Sequence, residues 1–456
     1  MMQAAVQRDG MVMTKRDLAN VIVGLGKTGL SCARYLAACG ESFAVIDSRD
    51  APPGIEALRR EFPDVAVFLG GFDAAVMARA QRLIVSPGVA LAEPAIAEAL
   101  RDGVEVVGDI ELFVREAPAP VVAVTGANGK STVTTLVGEM IRAAGLTVQV
   151  GGNLGTPALD LLAAAVPDFY VLELSSFQLE TTRSLNAVAA VVLNISPDHL
   201  DRYGDVNDYA AAKQHIYHGD GTMVINGDDP WVAAMVEAGR KVVRFGLGVP
   251  GQGDFGVREH NGEACLAKGA EILMAAAELR IKGRHNIANA LAALALGEAV
   301  GLPRASMLAI LRSFPGLPHR TQWVASRNGV SWYDDSKGTN VGATLAALQG
   351  MPGKVVLIAG GLGKGQDFTP LKAAVAAKAR AVVLLGQDAP LIERAVAGAT
   401  PVVHAKDMDE AVARAADLAR AGDTVLLSPA CASFDMFKGY EQRGEVFAAA
   451  VLGRST

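Results

Sequence analysis

The sequence predicts an α/β protein of three domains, and three observations carry that expectation. The chain has 456 residues, about three times a common folding unit of roughly 150. Short β-branched runs recur, each followed by glycine or an acid and then an Ala/Leu-rich stretch, the pattern of parallel strands with crossover helices. Two proline-bearing joints, at 115–120 and 314–318, divide that pattern. The expected spans are 1–110, 111–316 and 317–456, the outer two Rossmann-like and the central one a parallel phosphate-loop sheet.

Buried strands are expected at 20–23, 43–46, 121–124, 169–172, 191–193, 355–359, 381–385 and 424–427. The joint at 314–318 suits either a hinge or a rigid turn, because its prolines cannot donate to a hydrogen-bond ladder. Lys and Arg total 42 against 48 Asp and Glu, a net charge of -6. That balance lacks the basic footprint of a nucleic-acid binder. Hydrophobic residues make up 51% of the chain, but charge interrupts them well short of the roughly 18 consecutive residues of a membrane span. Neither nucleic acid nor membrane insertion is expected. The four cysteines, Cys32, Cys39, Cys265 and Cys431, contain no C-x-x-C pair, which excludes a disulfide framework or a zinc site and favours the reducing cytoplasm. Residues 1–16 lack an apolar block and read as a frayed leader rather than a secretion signal.

The first chemical signal is Gly24-Leu-Gly26-Lys27-Thr28-Gly29, placed where a strand turns into a helix. Glycines there let a diphosphate approach the helix amides, and Asp47, ending the next strand, is placed to meet a sugar hydroxyl. The ligand stays open between a nicotinamide dinucleotide, a nucleotide sugar and none at all. Ser86-Pro87-Gly88 follows another strand and is a candidate to line the same crevice.

The second signal is stronger. Thr125-Gly126-Ala-Asn128-Gly129-Lys130-Ser131-Thr132 follows a strand and opens an apolar helix, so its amides and Lys130 would cradle phosphates while the Ser131 hydroxyl meets Mg²⁺. Glu173 ends a buried strand, where an unpaired carboxylate is costly, and is a candidate metal ligand or a turn cap. In Ser196-Pro197-Asp198-His199-Leu-Asp201, Ser196 and Pro197 read as N-cap and first helical residue, projecting His199 from a first helical turn. Lys213 lies in a helical stretch and by default is solvated. Asn286 and Asn289 share a helix face, fit either for a purine edge or, at Asn286, for capping.

These segments, together with Glu173-Leu-Ser-Ser-Phe-Gln-Leu-Glu180, Gly283-Arg-His-Asn286, Leu317-Pro-His-Arg320, Asp335-Ser-Lys337 and Ser428-Pro-Ala-Cys-Ala-Ser433, occur in one order that resembles the Mur ligases from Gly24 to Arg443. The resemblance implies an ATP-driven amide ligase of cytoplasmic peptidoglycan precursor synthesis. It would join D-glutamate to UDP-MurNAc-L-alanine through an acyl phosphate, as a monomer acting on small molecules. By the same similarity Gly26, Lys27, Thr28, Asp47, Ser48, Arg49, Gly88 and Asn153 would bind the UDP-substrate. ATP would meet Gly126, Asn128, Gly129, Lys130, Ser131, Thr132, Asn286, Asn289, Arg320 and Asp335. The resemblance further implies two Mg²⁺ sites from Ser131, Glu173, His199 and Lys213, the last as its carbamate, with Lys337 near the reacting phosphate. Glutamate would be held by His199, Lys364, Ser433 and Phe434.

The chain departs from the family pattern at Leu362, where aspartate is usual, at Gly338, where alanine is common, and at Tyr440, where phenylalanine is common. Loss of an acid near Lys364 leaves L-glutamate as an alternative substrate. Two readings of other classes remain: a nicotinamide oxidoreductase, carried by the first loop alone, and a non-catalytic ATP-dependent switch, carried by the second.

Overall fold

Three sheets organise the structure, a computed structural model that describes residues 16–199 and 202–453. The first is fully parallel and sets Val67–Leu69, Phe43–Asp47, Leu18–Val23, Ala80–Val85 and Glu105–Val107 side by side. Its central strands carry buried apolar runs, Val21–Val23 and Ala44–Ile46, as strands of a parallel sheet do. Strand order reverses at Leu18–Val23, whose neighbours are Phe43–Asp47 on one side and Ala80–Val85 on the other. The loops leaving these three strands therefore share one crevice end of the sheet.

The second sheet has nine strands. Six are parallel: Val242–Phe245, Thr222–Asn226, Ala189–Val192, Val121–Thr125, Phe169–Glu173 and Val148–Gly152. The other three, Phe255–His260, Glu263–Lys268 and Glu271–Ala275, extend it: the first joins Val242–Phe245 in parallel at Phe245 and Phe255, and the pairings that follow are antiparallel, which the expected all-parallel sheet did not include. The cause is local: Asn261 and Gly262, at φ 53° and 79°, make the two-residue turn that an Asn-Gly hairpin uses. Helix Arg284–Ala299 is buried continuously from Asn289 to Gly297 and packs with helix Lys130–Ala143 into the core of this sheet. A helix apolar on nearly every side fits only such an interior position.

The third sheet orders Gln322–Arg327, Val330–Asp334, Thr424–Leu427, Val355–Ala359, Ala379–Leu384 and Val402–His404, parallel except for the first hairpin. Hydrophobic clusters fill both of its faces.

The chain forms two compact units. One runs to Pro118 and takes in Gly155–Val166 and Phe177–Ser184; the other holds Ala119–Leu154, Pro167–Ser176 and the chain from Leu185 onward. The boundary expected at 110 falls inside helix Asp109–Glu116. Glu111 of that helix accepts hydrogen bonds from the Arg183 and Ser184 amides at 2.7 and 3.0 Å, which ties the 177–184 segment to the first unit. The leader, 1–15, and Asp201 lie outside the described residues.

Candidate active site

In the first unit the glycine loop turns as its composition requires. A Cβ at position 29 would lie 2.1 Å from the Gly24 carbonyl oxygen, so only glycine fits. Gly26 is the N-cap of helix Lys27–Ala38, which places Lys27 and Thr28 in its first turn. Lys27 Nζ donates to the Gly155 carbonyl at 2.5 Å. Asp47 is buried, and its carboxylate accepts from the Leu25 amide at 2.7 Å and from Arg49 Nε and Nη2 at 2.8 and 2.7 Å. Burial works to raise its pKa, but Arg49 and the Leu25 amide hold it at about 2. Asp47 thus closes the loop on itself, while Ser48 and Arg49 stay exposed. The Ser86 hydroxyl donates to the Gly24 carbonyl at 2.8 Å, which brings the turn bearing Gly88 beside the first loop.

In the second unit, Gly126 and Gly129 adopt φ 151° and 86°, and Gly129 caps helix Lys130–Ala143. The helix amides of 130–132 are left for an anion, with the dipole favouring negative charge there. Lys130 Nζ donates to the Gly126 and Ala127 carbonyls at 3.0 Å each. Burial lowers its pKa, and Glu173 and Asp198 oppose that effect. Asn194, which the sequence reading missed, latches the loop: its Oδ1 accepts from the Asn128 amide at 2.8 Å and its Nδ2 donates to the Asn128 carbonyl at 3.0 Å.

Glu173 is buried beside this loop. Asn153, expected among the UDP-substrate residues, is bonded to it: its Nδ2 donates to Glu173 Oε1 at 2.7 Å and its amide to the Glu173 carbonyl at 2.7 Å. Burial would raise the Glu173 pKa, yet Lys130, Ser131, Asn153 and Arg320 keep the carboxyl below its ordinary value. Its Oε2 is buried without a hydrogen-bond partner. An ionised carboxylate oxygen so placed, beside a serine hydroxyl, fits a hard cation that completes its shell with phosphate oxygens and water. No group of three or more His, Cys, Asp or Glu among the described residues forms a metal cage by itself.

The segment 196–199 corrects the expected helix start. It is irregular, and His199 sits at φ 55°, outside helical backbone. The following helix begins at Val206, where Asp205 Oδ1 accepts from the Asp208 amide at 3.0 Å and supplies the cap. Asp198 is used elsewhere, accepting from the His199 amide at 3.0 Å and from Asn340 Nδ2 at 3.1 Å. Burial lowers the His199 pKa; Asp198 opposes this, and the neighbouring lysines 364, 130 and 213 add to it. Lys213 is buried rather than solvated, with Nζ 3.4 Å from Thr125 Oγ1 and 4.5 Å from the Tyr209 ring centroid. Burial, reinforced by Lys130, lowers its pKa well below the ordinary lysine value.

The third sheet brings Arg320 to this loop: its Nη2 donates to Ser131 Oγ at 2.8 Å. His319 and Thr321, on either side, both take left-handed backbone, φ 59° and 48°. Asp334 and Asp335 hold that strained turn. Asp334 Oδ2 lies 2.6 Å from His319 Nδ1, and Asp335 Oδ1 accepts from the Thr321 amide at 3.0 Å. The other Asp335 oxygen accepts from Ser428 Oγ at 2.7 Å, and burial pushes the Asp335 pKa up to about 7. Asn128, Thr132, Asn286, Asn289, Arg320 and Asp335 line one cavity. Asn286 does not cap its helix, whose N-cap is Gly283; it orients Asn289, whose Nδ2 donates to Asn286 Oδ1 at 3.1 Å.

Lys337 Nζ lies 3.6 Å from the Tyr440 ring centroid, and burial brings its pKa down to about 8, with Arg320 adding to the effect. Asn340, also missed from sequence, bonds Asn128 across the loop at 3.2 Å. Lys364, at φ 52°, and buried Ser433 lie on loops joined by paired backbone bonds between Leu362 and Ala432, both 2.9 Å. Phe434 is 70% exposed.

A strand-loop-helix phosphate cradle, a buried acid with a free oxygen and an arginine delivered from a separate sheet define a nucleotide-dependent group-transfer protein of the α/β class. Comparison with known proteins makes that class specific. Residues 19–108 match the Mur ligase MurD-like N-terminal domain, 124–297 the Mur ligase middle domain and 319–431 the Mur ligase glutamate ligase domain. The chain belongs to the Mur ligase family. It is 60% identical over 434 residues to the UDP-N-acetylmuramoylalanine–D-glutamate ligase of Nitrosococcus oceani, covering 95% of this chain and 96% of that one. It is 56% identical over 432 residues to the ligase of that name from Methylococcus capsulatus, covering 94% of each. Among solved structures, MurF from Acinetobacter baumannii aligns with a TM-score of 0.61 at 18% identity, covering 96% of this chain and 92% of that one. UDP-N-acetylmuramate-alanine ligase from Thermotoga maritima aligns at 0.60 and 18%, covering 96% and 99%. These two likenesses concern the fold.

Proposed function

We propose that the chain is an ATP-dependent amide ligase that adds D-glutamate to UDP-N-acetylmuramoyl-L-alanine. The observation that carries this reading is the junction of Lys130, Ser131 and Glu173 with Arg320, because it places cationic groups from two sheets around one phosphate position. Developing charge on a transferred phosphoryl group is stabilised chiefly by such positioned cations.

In this reading residues 1–110, continuing to Pro118, bind the UDP-sugar, 111–316 bind ATP, and 317–456 bind the amino acid. The substrate carboxylate attacks the γ-phosphorus as the bond to the β–γ bridging oxygen breaks and ADP departs. The glutamate amine then attacks the acyl carbon, loses a proton to solvent and expels inorganic phosphate. Lys130, the helix amides and Arg320 hold the phosphates. Ser131 and Glu173 would hold one Mg²⁺, and His199 with a carbamylated Lys213 a second; Mg²⁺ would supply neutralisation of phosphate charge. The burial of Lys213, which lowers its pKa, supports carbamylation, since CO₂ adds to the neutral amine. Lys364, Ser433, Phe434 and His199 take the glutamate, and the enzyme acts as a cytoplasmic monomer.

Phosphate release should require UDP-MurNAc-L-alanine and glutamate together, and Lys130→Ala should abolish it. ATP hydrolysis indifferent to both substrates would instead favour a nucleotide switch, and a thermal shift with NADPH but none with the UDP-substrate an oxidoreductase. Running D- and L-glutamate side by side decides the stereochemistry, for which Leu362 keeps the L form as an alternative.

A further inference from the structure

The side chain of Gln366 joins three loops. They leave the carboxyl ends of Val330–Asp334, Thr424–Leu427 and Val355–Ala359, adjacent parallel strands of the third sheet. Gln366 is only 8% exposed. Its Oε1 accepts from the Val341 amide at 3.0 Å, at the start of the helix that Asn340 caps. Its Nε2 donates to the Gly363 carbonyl at 2.9 Å and to the Ala430 carbonyl at 3.4 Å. One amide group thereby uses its acceptor on one loop and its donors on the other two.

The two carbonyls it binds mark strained backbone. Gly363 directly precedes Lys364, which sits at φ 52°, and Ala430 itself sits at φ 58°. A non-glycine residue in that region is disfavoured and persists only when its surroundings over-determine it. Asn340, one residue before Val341, also reaches Asn128 and Asp198. We propose that Gln366 is a positioning residue that sets Lys364 and the 428–433 loop in the geometry the incoming amino acid requires, without touching it. This rests on the reading of Lys364 and Ser433 as glutamate-binding residues.

The test compares Gln366→Glu, Gln366→Met and Lys364→Ala in the full-length enzyme. Glu keeps the size and the acceptor toward Val341 but turns an oxygen against two carbonyls; Met keeps the volume and loses every bond. Since a buried carbonyl left unpaired costs about 1–3 kcal/mol, the glutamate KM should rise about tenfold or more in both Gln366 variants. The KM for ATP should stay within about twofold, a split that general loosening of the fold would not produce. If Gln366→Met does not fold, the near-isosteric Gln366→Glu decides. A raised glutamate KM in Lys364→Ala with an unchanged one in the Gln366 variants overturns the proposal and leaves the glutamate site standing. Unchanged values in all three overturn both, and equal rises for glutamate and ATP reduce Gln366 to a structural residue.

Discussion

At the scale of single residues, charge in this site is governed by burial and by one or two partners. His319 shows the rule with a clear sign. Its hydrogen bond to Asp334 raises the imidazole pKa above the ordinary value near 6.5, burial opposes this, and Glu445 and Glu441 add smaller attraction. A group whose folded pKa is raised stabilises the protein fully below its unfolded pKa, and that contribution disappears as pH rises through the folded value. Conformational stability of the parent should therefore fall, as pH rises above about 6.5, more steeply than that of Asp334→Asn. Denaturant midpoints measured across that rise check it, and parallel curves would show that the pair carries no linkage. Lys213 follows the same logic at greater depth: burial and the Lys130 charge lower its pKa well below the ordinary lysine value, against the attraction of Asp198 and Glu173.

At the scale of elements, the phosphate loop is held by steric demand rather than by apolar packing. Gly129 lies at φ 86°, and a Cβ there would come within 2.4 Å of Asn289 Oδ1. Gly129→Ala should cost about 1–2 kcal/mol for the left-handed backbone alone. It should also raise the KM for ATP, because Asn289 and the loop can no longer occupy their present places. Equilibrium unfolding and steady-state kinetics read the two effects separately, and an unchanged KM for ATP would remove Asn289 from the nucleotide pocket. The antiparallel extension teaches a related lesson: the Asn261-Gly262 pair between alternating strands was a hairpin signal open to sequence reading and passed over there.

At the scale of the molecule, the cavity around Asn286, Asn289, Arg320 and Asp335 draws its walls from the second and third sheets. A ligand that binds only the folded form at a hundred times its dissociation constant stabilises by about 2.7 kcal/mol. A non-hydrolysable ATP analogue with Mg²⁺ should therefore raise the melting temperature, and Arg320→Ala should shrink the rise while leaving the ligand-free melting temperature nearly unchanged. An identical rise in the variant would mean that the contact between sheets takes no part in nucleotide binding. Much of this site was legible: the two glycine loops, Lys130, Ser131, Glu173 and Arg320 stand where their motifs placed them. Other placements were not. His199 left its expected helix, Lys213 turned out buried, and Asn194, Asn340 and Gln366 gave no signal, since an asparagine or glutamine in a loop has no periodicity to betray its partner.

What the sequence determined alone was the α/β class, the strands and the turns from strand to helix, because these follow from apolar runs and glycine sterics within a few residues. The tertiary structure decided which side chains meet. Arg320 reaches Ser131 across 189 positions, Asn340 reaches Asn128 across 212, and Lys213 reaches Thr125 across 88. Contacts at such separation depend on how strands order themselves and how sheets pack, and burial, which sets the charge of Lys213 and Asp335, exists only once that packing is complete.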